Sequence, residues 1–312
     1  MGKKEFYLYR ERTLSDKLND TFGFIRDNWQ VMLKFSVYLL LPLCMVAAVF
    51  TNSFMDGSLA ELTGESNIWQ NPVVASLSYL LSGVCSVVLA ALLFALVQLY
   101  MKRANGLEDL TFQELRDPLI NNVGKIIVQA ILFFVVFVIL IFGLVILESI
   151  IFLLLNVGGS VVFLLAMVSI LGIMVLLLPL QMVVPTYLLE ENIGVFDSFK
   201  KGYRLGWHTW GSLFLLTLVF VIISSLLSML FVMPRFAVYF YDIFMAEKQG
   251  GGYANPSMLV SFGHYLLTVI YLFGSSVVSV VMWLGIIFHY GHAAEKVDGM
   301  ATDQAIEDFE EL

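Results

Sequence analysis

The chain has 312 residues, 59% of them hydrophobic and 13% charged, with a mean hydropathy of +0.87. A soluble domain carries about 25% charged residues, so this composition excludes a water-covered globule and points to a bundle set in a bilayer. The net charge of −8 is weighted toward the end, where Asp298, Asp303, Glu307, Asp308, Glu310 and Glu311 follow the last apolar run; no basic patch is interleaved with aromatics, which excludes nucleic acid as a partner.

The first thirty residues are polar, and the apolar run that follows them starts too late and runs too long for a cleaved signal peptide. It is read as an uncleaved anchor. Within the polar segment Leu14, Leu18, Phe22, Ile25 and Trp29 recur at helical spacing. They predict an amphipathic helix over about 13–30 that lies at the inner interface, with Asp16, Lys17, Asp20 and Arg26 turned to water.

Crossing ~30 Å of hydrocarbon takes about 20 helical residues. Six runs reach that length: Val31–Asn52, Val74–Leu99, Ile126–Leu147, Val161–Val184, Leu213–Met233 and Phe262–Phe288. They lack barrel-type alternation, and an unpaired backbone in lipid is costly, so each is expected as a helix. The third run continues past Leu147, and Ile150–Leu155 reads as a short segment on the outer interface, turned back by Gly158 and Gly159. After the fifth run, Phe236, Tyr239, Phe240, Ile243 and Phe244 predict a helix at the outer headgroups. Gly250, Gly251 and Gly252 follow as a flexible return. The fold class is thus all-α and polytopic. A six-span domain covers residues 1–297, and 298–312 form an acidic tail.

Orientation follows from Lys and Arg. Of the 17 such residues, all but Arg235 and Lys248 fall on the N-terminal segment, the second and fourth loops or the tail. By the positive-inside rule those regions, and both termini with them, are cytoplasmic.

Asp16, Leu18, Phe22 and Trp29 recur at one constant offset as Asp197, Phe199, Tyr203 and Trp210, and the segment from Leu110 to Val123 has the same character, interrupted by Pro118. Three units of interfacial helix plus helical hairpin give a possible threefold internal repeat. Leu18, Phe22, Trp29, Phe199, Tyr203 and Trp210 are the residues expected at the membrane interface.

The stretch from Glu190 to Trp207 pairs acidic Glu190 and Glu191 with Gly194, then a basic helix through Lys200, Lys201 and Arg204 ending in Tyr203 and Trp207, with Trp210 beyond. It resembles a signature of several bacterial multi-pass families, among them the membrane domain found beside glycerophosphodiester phosphodiesterases. The resemblance implies that fold and a place in the bacterial cytoplasmic (inner) membrane. It does not carry the phosphodiesterase activity, since the metal-binding catalytic barrel has no counterpart here.

His289 and His292 share a helix face with Glu295 and offer two positions of a metal site, with His208 as a third ligand. Polar capping of a span end explains the same residues, and without an acidic or thiol cluster no metal or other cofactor is expected. The small-residue stripe Ser78, Ser82 and Ser86 in the second span, with Ser224, Ser228, Ser275 and Ser279 later, suits close helix packing; a polar pathway is the alternative. Cys44 and Cys85 lie inside apolar runs and read as small buried hydrophobes. Ionisable residues deep in the spans, which would mark an ion pathway, are nearly absent.

No nucleophile elbow, phosphate loop or paired-carboxylate motif is present, so no catalytic residue is assigned and the chain reads as no enzyme. The expected function is lipid handling or membrane organisation, or service as the membrane subunit of a complex. Its partners are then membrane lipids and other membrane or cytoplasmic proteins. A small-molecule or lipid transporter or channel is the alternative.

Overall fold

A computed structural model describes residues 7–62, 72–103, 106–155, 159–248 and 258–300. Its elements are α1 (Leu14–Leu62), α2 (Pro72–Lys102), α3 (Phe112–Leu155), α4 (Gly159–Leu177), a 3-10 turn (Leu178–Met182), α5 (Val183–Leu189), α6 (Val195–His208), α7 (Trp210–Lys248) and α8 (Met258–Asp298). The described residues contain no strand, and six segments are long and apolar enough to cross a membrane. The protein is an all-α, multi-pass membrane protein.

Four local expectations are corrected. The segment 13–30 is not a separate helix but the start of α1. No proline precedes Pro42 there, and a lone glycine such as Gly23 costs only about 1 kcal/mol in a helix. Ile150–Leu155 likewise continues α3, and Phe236–Phe244 continues α7 through Pro234. The fourth span, in contrast, breaks after Leu177. Pro179 has no N–H to donate to the carbonyl of Val175, and the indole of Trp210 takes that carbonyl instead, at 3.2 Å. Gly158, the Gly250–Gly252 run and residues 301–312 of the tail lie outside the described residues.

The chain divides into two compact units: Met1–Asp20, Asp117–Thr217 and Gly285–Leu312 form the first, and Thr21–Arg116 with Leu218–Leu284 the second. In the first, α6 lies on the 3-10 turn and α5. The contact is made by a small face, Ser198, Gly202 and Gly206. A Cβ on Gly202 would stand 2.6 Å from the Val183 Cα, and one on Gly206 would stand 2.5 Å from the Pro179 carbonyl oxygen. Only glycine allows this backbone-to-backbone approach. In the second unit, every residue of α2 from Leu89 to Val97 is buried, which marks a helix enclosed on all sides.

The repeat has a structural register. Thr13 and Asp16 form a capping box at the start of α1, and Thr111 and Glu114 form another at the start of α3. Gly194 and Asp197 hold the matching positions of α6. Counted from each cap, the same four positions are buried: Lys17, Thr21, Phe24 and Asn28; Leu115, Leu119, Asn122 and Ile126; Ser198, Gly202, Leu205 and Thr209. Two residues before the second and third caps stand Asp109 and Asn192, each with φ of 57°, a left-handed conformation that short polar side chains tolerate best.

Candidate functional site

The site that gathers the most polar side chains lies in the first unit, around the last turns of α8. The Thr13–Asp16 box fixes where α1 begins, and one residue later Lys17 is 0% exposed. Its ammonium stands 3.0 Å from His289 Nδ1 and donates to Ser212 Oγ at 2.8 Å. An ammonium only donates, so Nδ1 accepts and the ring proton sits on Nε2. That nitrogen faces Thr209 Oγ1 at 3.2 Å, and the hydroxyl donates to the Leu205 carbonyl at 2.8 Å. Along this path the donors run from Lys17 to His289 Nδ1, from His289 Nε2 to Thr209 and from Thr209 to the Leu205 carbonyl.

His292, whose ring centroid is 5.8 Å from that of His289, accepts the backbone N–H of Arg12 at its Nδ1, 3.0 Å away. The Arg12 guanidinium donates to Asp20 at 2.7 Å and to the carbonyls of Leu8 and Tyr7, and lies 5.3 Å from the centroid of the Phe288 ring. Burial holds this guanidinium below its ordinary pKa, and the Asp20 carboxylate opposes the shift. The segment before α1 therefore seats directly on α8. A Cβ on Gly291 would come 2.2 Å from the Leu8 carbonyl oxygen.

The segment that carries the family resemblance closes the other side. Glu190 accepts from Tyr290 at 2.7 Å through one oxygen and from Lys201 at 2.8 Å through the other. Asp298 pairs with Lys201 at 3.4 Å and with Arg204. Tyr9 packs edge-on against Tyr290 with centroids 6.2 Å apart, and burial pushes its phenol up to about 12. The acidic and basic residues of the motif thus clasp α6 to the end of α8.

A second polar cluster lies in the second unit and was missed from sequence. Arg235, expected in an outer loop, is a buried residue of α7. It donates to Thr268 Oγ1 at 3.0 Å and to Asn52 Oδ1 at 3.2 Å, and Thr268 donates to the same Asn52 oxygen at 2.6 Å. Nearby, His264 Nε2 stands 3.7 Å from Asp242. The available signal was the helical spacing of Phe236, Tyr239, Phe240, Ile243 and Phe244, which extends α7 outward rather than starting a new element.

The remaining sequence candidates divide. Phe22 and Trp29 are exposed and Leu18 is half-buried. Phe199, Tyr203 and Trp207 stack along α6 with centroids 6.5 and 6.2 Å apart, while Trp210 is tied to Val175. Ser78 bonds Thr51 on α1 at 2.9 Å; Ser82 and Ser86 bond back to their own helix, and Ser86 is exposed. Ser279 bonds the Ser276 carbonyl, and the hydroxyls of Ser224 and Ser275 are buried with no partner among the described residues. Ser228 is half-buried. His208 is exposed and turned to the Arg204 carbonyl, away from His289 and His292. Among the described residues no three His, Cys, Asp or Glu side chains converge, and both ring nitrogens of His289 face protein groups. Comparison with protein-family models, with curated proteins and with solved structures found no match.

Proposed function

We propose that this chain is a non-enzymatic, multi-pass protein of the bacterial cytoplasmic (inner) membrane that organises or handles lipid, or serves as the membrane subunit of a complex. Both termini lie on the cytoplasmic side. Its partners are membrane lipids and other membrane or cytoplasmic proteins, and the stretch from Glu190 to Trp207 supports kinship with the membrane domains found beside glycerophosphodiester phosphodiesterases. The observation that carries the reading is the inverted face at the start of α1. Lys17 is 0% exposed whereas Trp29 is 53% exposed, with Phe22 outward as well. On α6 the small face is likewise buried while Phe196 and Trp207 point outward. Aromatics displayed beside cations suit the headgroup level of a bilayer, and the polar groups that chemistry would need are used in joining helices.

The test replaces Leu18, Phe22 and Trp29 together with Asp. Insertion should survive, because orientation rests on Lys and Arg, while protease sensitivity of the N-terminal segment rises and function is lost. Full function with unchanged protease resistance removes the reading. Transport is the second reading, favoured by the buried Arg235 among α1, α7 and α8, since ionisable residues inside membrane bundles commonly mark pathways.

A further inference from the structure

The three cations of α6 are not equivalent. Lys201 is tied to Glu190 and Asp298, and Arg204 to Asp298, so both are neutralised within the protein. Lys200 is exposed and forms no ion pair or hydrogen bond among the described residues. Asp197, the one acidic residue of α6, turns back over the cap: its Oδ2 lies 3.3 Å from where a Cβ on Gly194 would stand. Residues three and four apart are neighbours on a helix surface, so Phe196, Lys200, Tyr203 and Trp207 share one face of α6. Phe196 and Trp207 are exposed there, and Tyr203 stacks on Trp207 at an interplanar angle of 17°. The small face of the helix is held against the 3-10 turn and α5, which keeps this aromatic face outward. Only Thr209 separates α6 from α7, a span that lipid must surround. The other two repeats lack the cation. Six residues beyond their caps, where α6 has Lys200, stand Asn19 and Asp117.

We propose that this face of α6 binds an anionic phospholipid of the cytoplasmic leaflet, with Lys200 on the headgroup phosphate and Phe196, Tyr203 and Trp207 at the acyl boundary. Aromatic rings favour that depth, and a lysine stem can lie along apolar surface while its ammonium reaches the phosphate. In a zwitterionic lipid the phosphate already has an amine of its own to offset it, whereas in an anionic lipid it does not. An uncompensated lysine therefore selects the anionic class. A cation near an anionic membrane surface gains about 1 kcal/mol, or about fivefold enrichment. The site rests on the lipid-handling reading and names its lipid class. It also separates Lys200 from its neighbour Lys201, which the clasp to Glu190 withholds from lipid.

The experiment places the full-length protein in phosphatidylcholine nanodiscs that contain a minor fraction of lipid brominated on its acyl chains. That fraction is phosphatidylglycerol in one sample and phosphatidylethanolamine in the other. Bromine quenches tryptophan on contact, and the difference between wild type and Trp207→Phe isolates the emission of Trp207. Brominated phosphatidylglycerol should quench that component at least twofold more than brominated phosphatidylethanolamine. Lys200→Gln should remove the preference and Lys200→Arg should keep it. Molar salt, which screens exposed charges, should remove it as well. Equal quenching of wild type by the two lipids overturns the proposal and leaves the lipid-handling reading standing. No quenching by either overturns both, and is the result that an acidic protein partner on this face would give. A preference that survives in Lys200→Gln also overturns the proposal. The wild-type comparison decides even if a Lys200 variant fails to fold.

Discussion

Lys17 donates to Ser212 across 2.8 Å, and the same two positions of the repeat meet again where Gln129 donates to Ser198 at 3.0 Å. Lys17 and Ser198 hold one register position, and Ser212 and Gln129 another. The first unit of the repeat reaches the third, and the third reaches the second. Cyclic closure would then pair Leu115 with Val31, an apolar version of the same contact. In a chain carrying Cys44→Ala and Cys85→Ala, the pair Val31→Cys and Leu115→Cys should cross-link under copper phenanthroline. The pair Leu33→Cys and Leu115→Cys should not, because Leu33 is exposed. Equal cross-linking of both pairs would remove the threefold relation.

His289 joins Lys17 to Thr209, so truncating it takes an acceptor from a buried ammonium and a donor from a buried hydroxyl. Loss of one partner of a buried polar group costs about 1–3 kcal/mol. His289→Ala should lower the thermal unfolding midpoint in detergent accordingly. His289→Gln keeps one donor and one acceptor and should recover part of the loss. No recovery would mean that ring packing, not hydrogen bonding, is the larger contribution.

The spans were legible because hydropathy alone decides them: nothing but helix survives in lipid over such runs. The repeat was legible through Phe199, Tyr203 and Trp210, although the residues that give it structural register are the buried ones one position away. Lys17 was misread as a solvated charge, since a helix presents two faces and sequence does not say which meets protein. Here the buried partners are Ser212 and His289, each far along the chain. Arg235 was misplaced for a related reason: an Arg after an apolar run signals an interface only if the helix stops there. The seating of Leu8 on Gly291 leaves no local trace in either segment.

Gly206 and Gly211 separate packing from propensity. A Cβ at Gly206 meets the Pro179 carbonyl at 2.5 Å, whereas one at Gly211 meets nothing within 4 Å. Gly206→Ala should cost about 1–3 kcal/mol through overpacking and reduce the yield of folded protein. Gly211→Ala should change stability by no more than about 1 kcal/mol. Unfolding midpoints of the two variants in one detergent make the comparison, and equal effects would contradict the close approach of α6 to the 3-10 turn.

Topology can be read from residues that are exposed. In a chain with Cys44→Ala and Cys85→Ala, a cysteine replacing Gln113 should react with an impermeant maleimide only after the membrane is opened. One replacing Met258 should react in intact cells, because positive charge retains the loops on its side. Labelling of position 113 in intact cells would invert the proposed orientation.

The Asn52–Arg235–Thr268 cluster offers the sharpest choice between the two functional readings. Arg235 holds two acceptors on two helices in a planar fork, a geometry that a lysine ammonium does not reproduce. Thr268→Val removes one acceptor and, with it, the donor to Asn52, at a cost of about 1.5–3 kcal/mol for a hydrogen bond to a charged group. Asn52→Leu removes the other acceptor and should cost a similar amount. If the cluster only pins α1, α7 and α8 together, Arg235→Lys should lower the unfolding midpoint and leave lipid-dependent function intact at temperatures where the protein stays folded. If it lines a pathway, Arg235→Lys should abolish flux of solute into proteoliposomes while the midpoint moves little. Measuring both quantities on the same preparation separates the readings, because a structural pin moves stability first and a transport residue moves flux first.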